Sequence, residues 1–129
     1  MKGQTSKGLR IVILIYIIYS VVFGLLHVVS PELVGAKDPA IERILGAAVL
    51  AFAFGAGLAY LERAWDRVRI VILVQVVWMI LYTITMAWGI LVGGIDAIAW
   101  PPSIIGLIFA ILLTVFYIRE VRIQSQEPH

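Results

Sequence analysis

Two rows of polar and aromatic side chains hold the groups in this sequence that could do chemistry. One row follows steps of three, four and three residues and the other steps of four, three and four, so each lies along one face of an α-helix. The first row is Gln75, Trp78, Tyr82 and Thr85, and the second is Tyr16, Ser20, Phe23 and His27. Such amide, hydroxyl and imidazole groups could hydrogen-bond between helices, pass protons or hold the polar part of a ligand. In lipid they need partners, so we predict that the two rows face a common interior between the helices that carry them.

His27 is the candidate for acid–base or metal chemistry, because an unperturbed imidazole titrates near neutral pH and binds transition metals. Four acidic residues fall on the same predicted side of the membrane: Glu32, Asp38, Glu42 and Asp96. A metal site would need several of them to converge on His27. The simpler interpretation is a hydrogen-bonded histidine near the membrane boundary, with the acids solvated in loops and helix caps. We therefore predict no metal ion and no other cofactor.

Gln75 and the aromatic residues around it allow two interpretations. They could line a pocket for a flat apolar ligand such as a quinone or isoprenoid, or the amide could join helices while the rings fill the core. The aromatic set is Tyr16, Tyr19, Trp78, Tyr82 and Trp88. We favour the interpretation in which they hold the helices together.

Four apolar runs supply the helices that carry these rows, at residues 9–29, 39–61, 70–92 and 102–118. A helix needs ~20 residues to cross ~30 Å of hydrocarbon, and the third run carries no charge. Ser30-Pro31 ends the first run and Asp38-Pro39 is a good helix start. The sequence predicts an all-α bundle of four transmembrane helices, in a single domain over residues 1–129.

The segments outside these runs are polar. We expect residues 62–69 to form a turn with Trp65 as an interfacial anchor, and the tail from Arg119 onward to be frayed. A secretory signal peptide is the rival explanation of the first run, since Val34-Gly35-Ala36 resembles a cleavage site. The run exceeds the ~7–15 apolar residues of a signal peptide, so we favour a retained anchor.

Composition agrees with a membrane protein. The chain is 62% hydrophobic and 14% charged, against ~45–50% apolar and ~25% charged residues in ordinary soluble domains. It has no cysteine, which excludes disulfides and thiolate metal sites. The net charge is +2, but the basic residues stand at the ends of apolar runs rather than in one patch. We therefore expect a lipid bilayer as partner and no nucleic acid.

The distribution of Lys and Arg predicts the orientation, because cytoplasmic loops carry an excess of both. One side of a four-span protein would carry Lys2, Lys7, Arg10, Arg63, Arg67, Arg69, Arg119 and Arg122, and the other Lys37 and Arg43. We expect both termini in the cytoplasm and the chain in the plasma membrane.

Small residues recur every four positions in two of the runs, a spacing typical of close helix packing in membranes. The second run has Ala47, Ala51, Gly55 and Ala59, and the fourth has Gly106, Ala110 and Thr114. We predict that these are packing faces, within the bundle or between copies of the chain.

Several functional patterns are absent. No run has a carboxylate or lysine near its centre, which argues against a proton-coupled small transporter. The small multidrug-resistance exporters, for example, carry a glutamate in their first helix. The sequence also lacks a Ser/His/Asp set and a phosphate-binding glycine loop. Catalysis has little support in these residues.

The layout from Gly24 to Arg119 resembles that of small four-helix membrane proteins of the DoxX type. The shared features are a first helix ending near Pro31, a second that opens with Arg43-Ile44-Leu45-Gly46 and is rich in small residues, an arginine-rich connector and a tryptophan-bearing third helix. The resemblance implies the same fold. Quinone-linked sulfur oxidation, associated with that family in some archaea, is not implied, because no functional residue matches.

Three hypotheses about function follow. The leading one is a non-enzymatic structural or accessory membrane protein, as a homo-oligomer or in a larger complex. The second is a binding or transport module for a lipid, isoprenoid or quinone between the first and third helices. The third is a membrane enzyme or redox subunit involving His27. A continuous cavity would favour the second hypothesis, a sealed core the first, and acids converging on His27 the third.

Overall fold

A computed structural model describes residues 3–34, 38–93, 98 and 100–126. Those residues form four long α-helices: α1 is Lys7–Val29, α2 Pro39–Leu61, α3 Trp65–Leu91 and α4 Trp100–Gln126. Each is long and apolar enough to cross a membrane. The predicted all-α four-helix bundle is confirmed, and the helices are those of an integral membrane protein. Lys2, Lys37, Asp96 and the Gly35-Ala36 part of the cleavage motif lie outside the described residues.

Local side-chain contacts set the starts of the first two helices. The Ser6 hydroxyl accepts the Leu9 N–H at 3.4 Å, which caps α1. The Asp38 carboxylate accepts the N–H groups of Ala40 and Ile41 at 2.9 and 3.4 Å, with proline at the next position. These bonds satisfy N–H groups that have no partner inside the helix. A short 3-10 helix, Pro31–Val34, follows α1.

The third and fourth helices extend further toward the termini than the sequence predicts. Helix α3 begins at Trp65, so the charged stretch predicted as a turn is mostly its first turn. Trp65 is buried rather than interfacial, and its ring lies 5.5 Å from that of Tyr117. Helix α4 continues to Gln126 instead of fraying after residue 118. Both differences have one cause: polar residues end the membrane-spanning part of a helix without ending the helix.

The connector between α2 and α3 is short, and the carboxylate of Glu62 within it accepts hydrogen bonds from neighbouring residues. The Glu62 side chain accepts the N–H groups of Arg63 and Ala64 at 2.9 and 3.0 Å. It also accepts a bond from Arg67 at 3.1 Å. The N–H donors of Ala64 and Arg63 stabilise the ionised form and so lower the pKa of Glu62.

The helices pack as two close pairs, α1 with α2 and α3 with α4, and smaller contacts join α1 to α4 and α2 to α3. Helices α1 and α3 thus lie diagonally across the bundle. The start of α1 and the end of α4 lie at one end of it, because Thr5 donates its N–H to Arg63 at 2.9 Å and Ser6 donates its N–H to Glu120 at 3.1 Å. We call this the terminal end and the other the opposite end.

The small-residue face of α2 differs from the prediction. Ala47 and Ala51 are exposed and Gly55 is half-buried, so of that predicted row only Ala59 lies in the core. A four-residue step turns the face by about 40°, which puts Ala47 and Ala59 about 120° apart around the helix. The buried side of α2 instead follows steps of three and four: Gly46, Val49, Ala53, Ala56 and Ala59. In α4, Gly106 and Ala110 are buried and Thr114 is half-buried.

Helices α1 and α2 come closest where two glycines face each other. A Cβ atom added to Gly46 would lie 2.8 Å from the carbonyl oxygen of Gly24 and 2.8 Å from the Cβ of His27. A Cβ added to Gly24 would lie 2.8 Å from Leu50. Neither position has space for a side chain at the observed separation, so this crossing places the His27 backbone directly against α2.

Candidate functional site

The interior polar groups centre on a hydrogen bond between α1 and α3. The Tyr16 hydroxyl donates to the Gln75 side-chain oxygen at 2.8 Å, and both residues are buried. The Gln75 amide nitrogen donates to the Phe52 carbonyl of α2 at 2.9 Å. One glutamine therefore joins three helices. In lipid, where no water competes, such bonds hold helices together.

A small cavity lies beside this bond, toward the opposite end. It measures about 10 Å³ and is lined mainly by aromatic residues, with Ser20 among them: Tyr16, Tyr19, Ser20, Phe23, Val49, Trp78, Met79 and Tyr82. A volume of ~10–15 Å³ holds one water molecule. The hydroxyls of Tyr19 and Tyr82 are buried and have no hydrogen-bond partner within the described residues. A buried water would supply the missing partner.

Two of the residues predicted to face the interior lie off that face. Trp78 is half-buried and stacks on Phe52, with ring centroids 4.4 Å apart, while Thr85 is exposed. A residue turns about 100° around the helix axis, so Tyr82 lies about 20° from Gln75, whereas Trp78 and Thr85 lie about 60° and 80° away. The prediction that Thr85 belongs to the interior row is therefore wrong, and Trp78 stands at its edge.

His27 is buried at the opposite end and contacts an acidic residue. The residue is 2% exposed, its Nδ1 lies 2.8 Å from the Phe23 carbonyl and its Nε2 lies 3.3 Å from the Glu42 carboxylate. A carbonyl oxygen only accepts, so Nδ1 is the donor in the first contact. The second contact places His27 and Glu42 within ion-pair distance and joins α1 to α2.

Two of the other predicted acids do not join this pair, and the third, Asp96, lies outside the described residues. Glu32 and Asp38 are exposed, and Asp38 caps α2 with its carboxylate. Over the ranges that the structure describes, no group of three His, Asp or Glu side chains could hold a metal ion. Of the predicted acids that the structure describes, Glu42 is the one in contact with His27.

Apolar packing separates the polar groups from the terminal end. Between Gln75 and the terminal end the core includes Leu9, Ile13, Val68, Ile72 and Leu113, each at most 3% exposed. These five side chains offer a polar solute no hydrogen-bonding partner. The described residues can therefore bind water in one half of the bundle, but they form no polar path across it.

Glu120 is the buried charged residue that sequence analysis missed. It is 1% exposed, and its Oε1 accepts the Ser6 N–H at 3.1 Å and the Gln124 amide at 3.3 Å. A carboxylate at the start of α1 is favoured by the helix dipole. The available signal was spacing: Leu113, Phe116 and Glu120 continue one helical face past the apolar run.

The chain matches no protein-family model, no curated protein and no solved structure. The resemblance to DoxX-type proteins accordingly stays a prediction.

Proposed function

We propose that this chain is a non-enzymatic structural or accessory protein of the membrane. The observation that carries the proposal is the small volume of the cavity beside the interior polar groups. The cavity between α1, α2 and α3 measures about 10 Å³, whereas pockets for drug-sized ligands enclose ~300–1,000 Å³. The apolar layer closes the terminal half of the core, and its residues are Leu9, Ile13, Val68, Ile72 and Leu113. Such an interior holds helices in place and leaves the outer surface for interactions.

The outer surface supports an assembly role. Large apolar side chains are exposed on all four helices, among them Ile18, Phe54, Trp88 and Ile111. Lipid covers such surfaces, and so do other transmembrane helices. The exposed Ala47 and Ala51 allow a close approach on α2, because small residues let helix backbones come together in lipid. We propose a homo-oligomer or a larger membrane complex as the working form, with both termini in the cytoplasm and the plasma membrane as its location.

Native mass spectrometry of the full chain in mild detergent tests this function. We expect a defined multiple of the chain mass, or a stoichiometric complex with another membrane protein. A variant with Ala47→Leu and Ala51→Leu should dissociate a homo-oligomer if α2 forms the contact, and Ala40→Leu, also exposed on α2, is the control. A monomer carrying one quinone or isoprenoid molecule per chain would contradict the proposal.

One observation favours a second function, the binding of a small lipophilic molecule. The unpartnered hydroxyls of Tyr19 and Tyr82 point to a missing polar partner at the cavity. A quinone or isoprenoid alcohol could supply it if the aromatic side chains moved apart. Binding of added ubiquinone or farnesol, measured by quenching of tryptophan fluorescence, should then weaken in Tyr19→Phe and Tyr82→Phe but not in Tyr117→Phe. Equal binding by all variants would contradict this second function.

A further inference from the structure

A groove at the terminal end runs between the start of α1 and the last turn of α2. It encloses about 210 Å³ and is lined by Lys7, Arg10, Ile11, Leu14 and Tyr60. It lies apart from the interior polar groups, on the other side of the apolar layer. The lining combines two cationic residues with an aromatic ring and two aliphatic side chains.

Within the described residues, the two cations have no anionic partner. Lys7 is exposed, and neither it nor Arg10 forms a salt bridge with any carboxylate that the structure describes. The Arg10 guanidinium lies over the Tyr60 ring, 4.8 Å from its centroid. Its Nε is buried and has no hydrogen-bond partner in the described part of the chain. The cation–π contact orients the guanidinium but leaves this donor unsatisfied, so an acceptor placed in the groove would complete the site.

The residues that share this face of α1 indicate what kind of molecule would supply that acceptor. Lys7, Arg10, Ile11 and Leu14 follow steps of three, one and three residues and therefore share one helix face. Ile18 continues that face, and Ile11 and Ile18 are 58% and 57% exposed. The face is cationic in its first turn and apolar from there into the membrane. This order, with cationic residues first and apolar residues after them, matches an anionic head group followed by an acyl chain.

From this geometry we infer that the groove binds an anionic phospholipid. The phosphate accepts hydrogen bonds from Lys7 and Arg10, and the acyl chain lies along Ile11, Leu14 and Ile18. Arginine and lysine are the side chains that recognise phosphate best, because both carry several charged donors. An inorganic phosphate would satisfy the cations but leave the apolar part of the face without a role. A zwitterionic lipid would bring a choline cation close to both charges.

Thermal unfolding of the full chain in detergent, followed by tryptophan fluorescence, tests the inference. We expect added phosphatidylglycerol to raise the melting temperature in a saturable manner, and phosphatidylcholine and glycerol 3-phosphate to raise it little. Replacing both cations in K7Q/R10Q should weaken the apparent affinity roughly thirtyfold, because each basic residue near an anionic lipid surface contributes about a fivefold factor.

The matched control is R69Q/R122Q, which removes two exposed arginines from the same end of the bundle and should leave the affinity unchanged. The single variant K7Q alters one exposed side chain, so it should fold normally and bind about fivefold more weakly. Equal stabilisation by phosphatidylcholine, an equal effect of glycerol 3-phosphate, or an equal loss in the control would each overturn the inference. Native mass spectrometry should show one retained phosphatidylglycerol per chain, and its presence at the same occupancy in K7Q/R10Q would also overturn it.

Discussion

Gln75 shows how single side chains satisfy the polar interior of this bundle. Its oxygen accepts from Tyr16 and its nitrogen donates to the Phe52 carbonyl, so both ends of the amide are bonded. The spacing of residues in the sequence predicts that the rows on α1 and α3 meet, because both helices start at the same membrane face. It does not predict the Phe52 carbonyl, because every residue has one and its availability depends on how α2 is rotated.

The first prediction concerns the coupling of Tyr16 and Gln75. The variants Tyr16→Leu and Gln75→Leu should each destabilise the bundle, and the double variant should lose less than their sum. We expect a coupling of about 0.6 kcal/mol and at most ~1.7 kcal/mol, the range for interhelical hydrogen bonds in membranes. Unfolding by dodecyl sulfate in mixed micelles measures all three. Thr85→Leu, a polar-to-apolar change on the exposed side of α3, should cost little, and additive losses at residues 16 and 75 would count against the bond.

The second prediction concerns the contact between His27 and Glu42. Glu42→Gln should preserve stability, because the amide NH₂ can donate to Nε2 while Nδ1–H stays on the Phe23 carbonyl. Glu42→Leu leaves a buried ring nitrogen without a partner and should cost ~1–3 kcal/mol. The same detergent unfolding compares them, with Glu32→Gln as the exposed control. If the two substitutions at residue 42 are equally harmful, a charged pair rather than hydrogen bonding stabilises this site.

Among the elements, α2 shows where sequence periodicity loses precision. The four-residue recurrence of small residues is real, but over three steps it turns around the helix and leaves the core. The face that does pack mixes steps of three and four and includes Gly46, whose partner Gly24 lies on a different helix. Identifying that pair requires the rotation of both helices, which depends on the whole bundle. The predicted end of α4 is wrong for another reason: no residue in 119–126 breaks the helix.

The third prediction uses the crossing of α1 and α2. Gly46→Ala should push the two helices apart, because the new Cβ would lie 2.8 Å from the Gly24 oxygen, and overpacking of this kind costs ~1–3 kcal/mol. Gly57→Ala is the matched control on the same helix. Apart from its chain neighbours and its own helix backbone, no described atom lies within 4 Å of its added Cβ, and alanine gains up to about 1 kcal/mol over glycine in helix propensity. The unfolding free energies should therefore change in opposite directions, and equal changes would contradict the close approach.

For the whole molecule, the distribution of basic residues along the sequence agrees with the ends of the bundle at which the fold places them. The basic residues counted from the sequence on one side lie at the terminal end wherever the structure describes them, and Arg43 lies at the opposite end. The sequence predicts this distribution because alternation of four spans decides which connectors share a side. It leaves open the buried Glu120, because only the packing of α4 against the start of α1 removes that carboxylate from water.

The fourth prediction is the orientation in the membrane. The chain has no cysteine, so single cysteines can be introduced without a background. Glu32→Cys, exposed at the opposite end, should react with a membrane-impermeant maleimide in intact cells. Gln4→Cys and Gln126→Cys, exposed at the terminal end, should react only after lysis, because lysines and arginines accumulate on the cytoplasmic side. Labelling of residues 4 and 126 from different sides would contradict the even number of spans.

The contacts of the first residues constrain the order of biosynthesis. Residues 3–6 bond to the start of α3, to the α2–α3 connector and to Glu120. The ribosome adds Glu120 more than a hundred residues after Ser6. The α1–α2 hairpin can pack as soon as it enters the bilayer, and residues 3–5 can bond once residues 63–65 have been made. The Ser6 N–H gains its Glu120 acceptor only with the last helix. A nascent chain arrested before Glu120 should therefore be cleaved faster at residues 3–6 than the full chain.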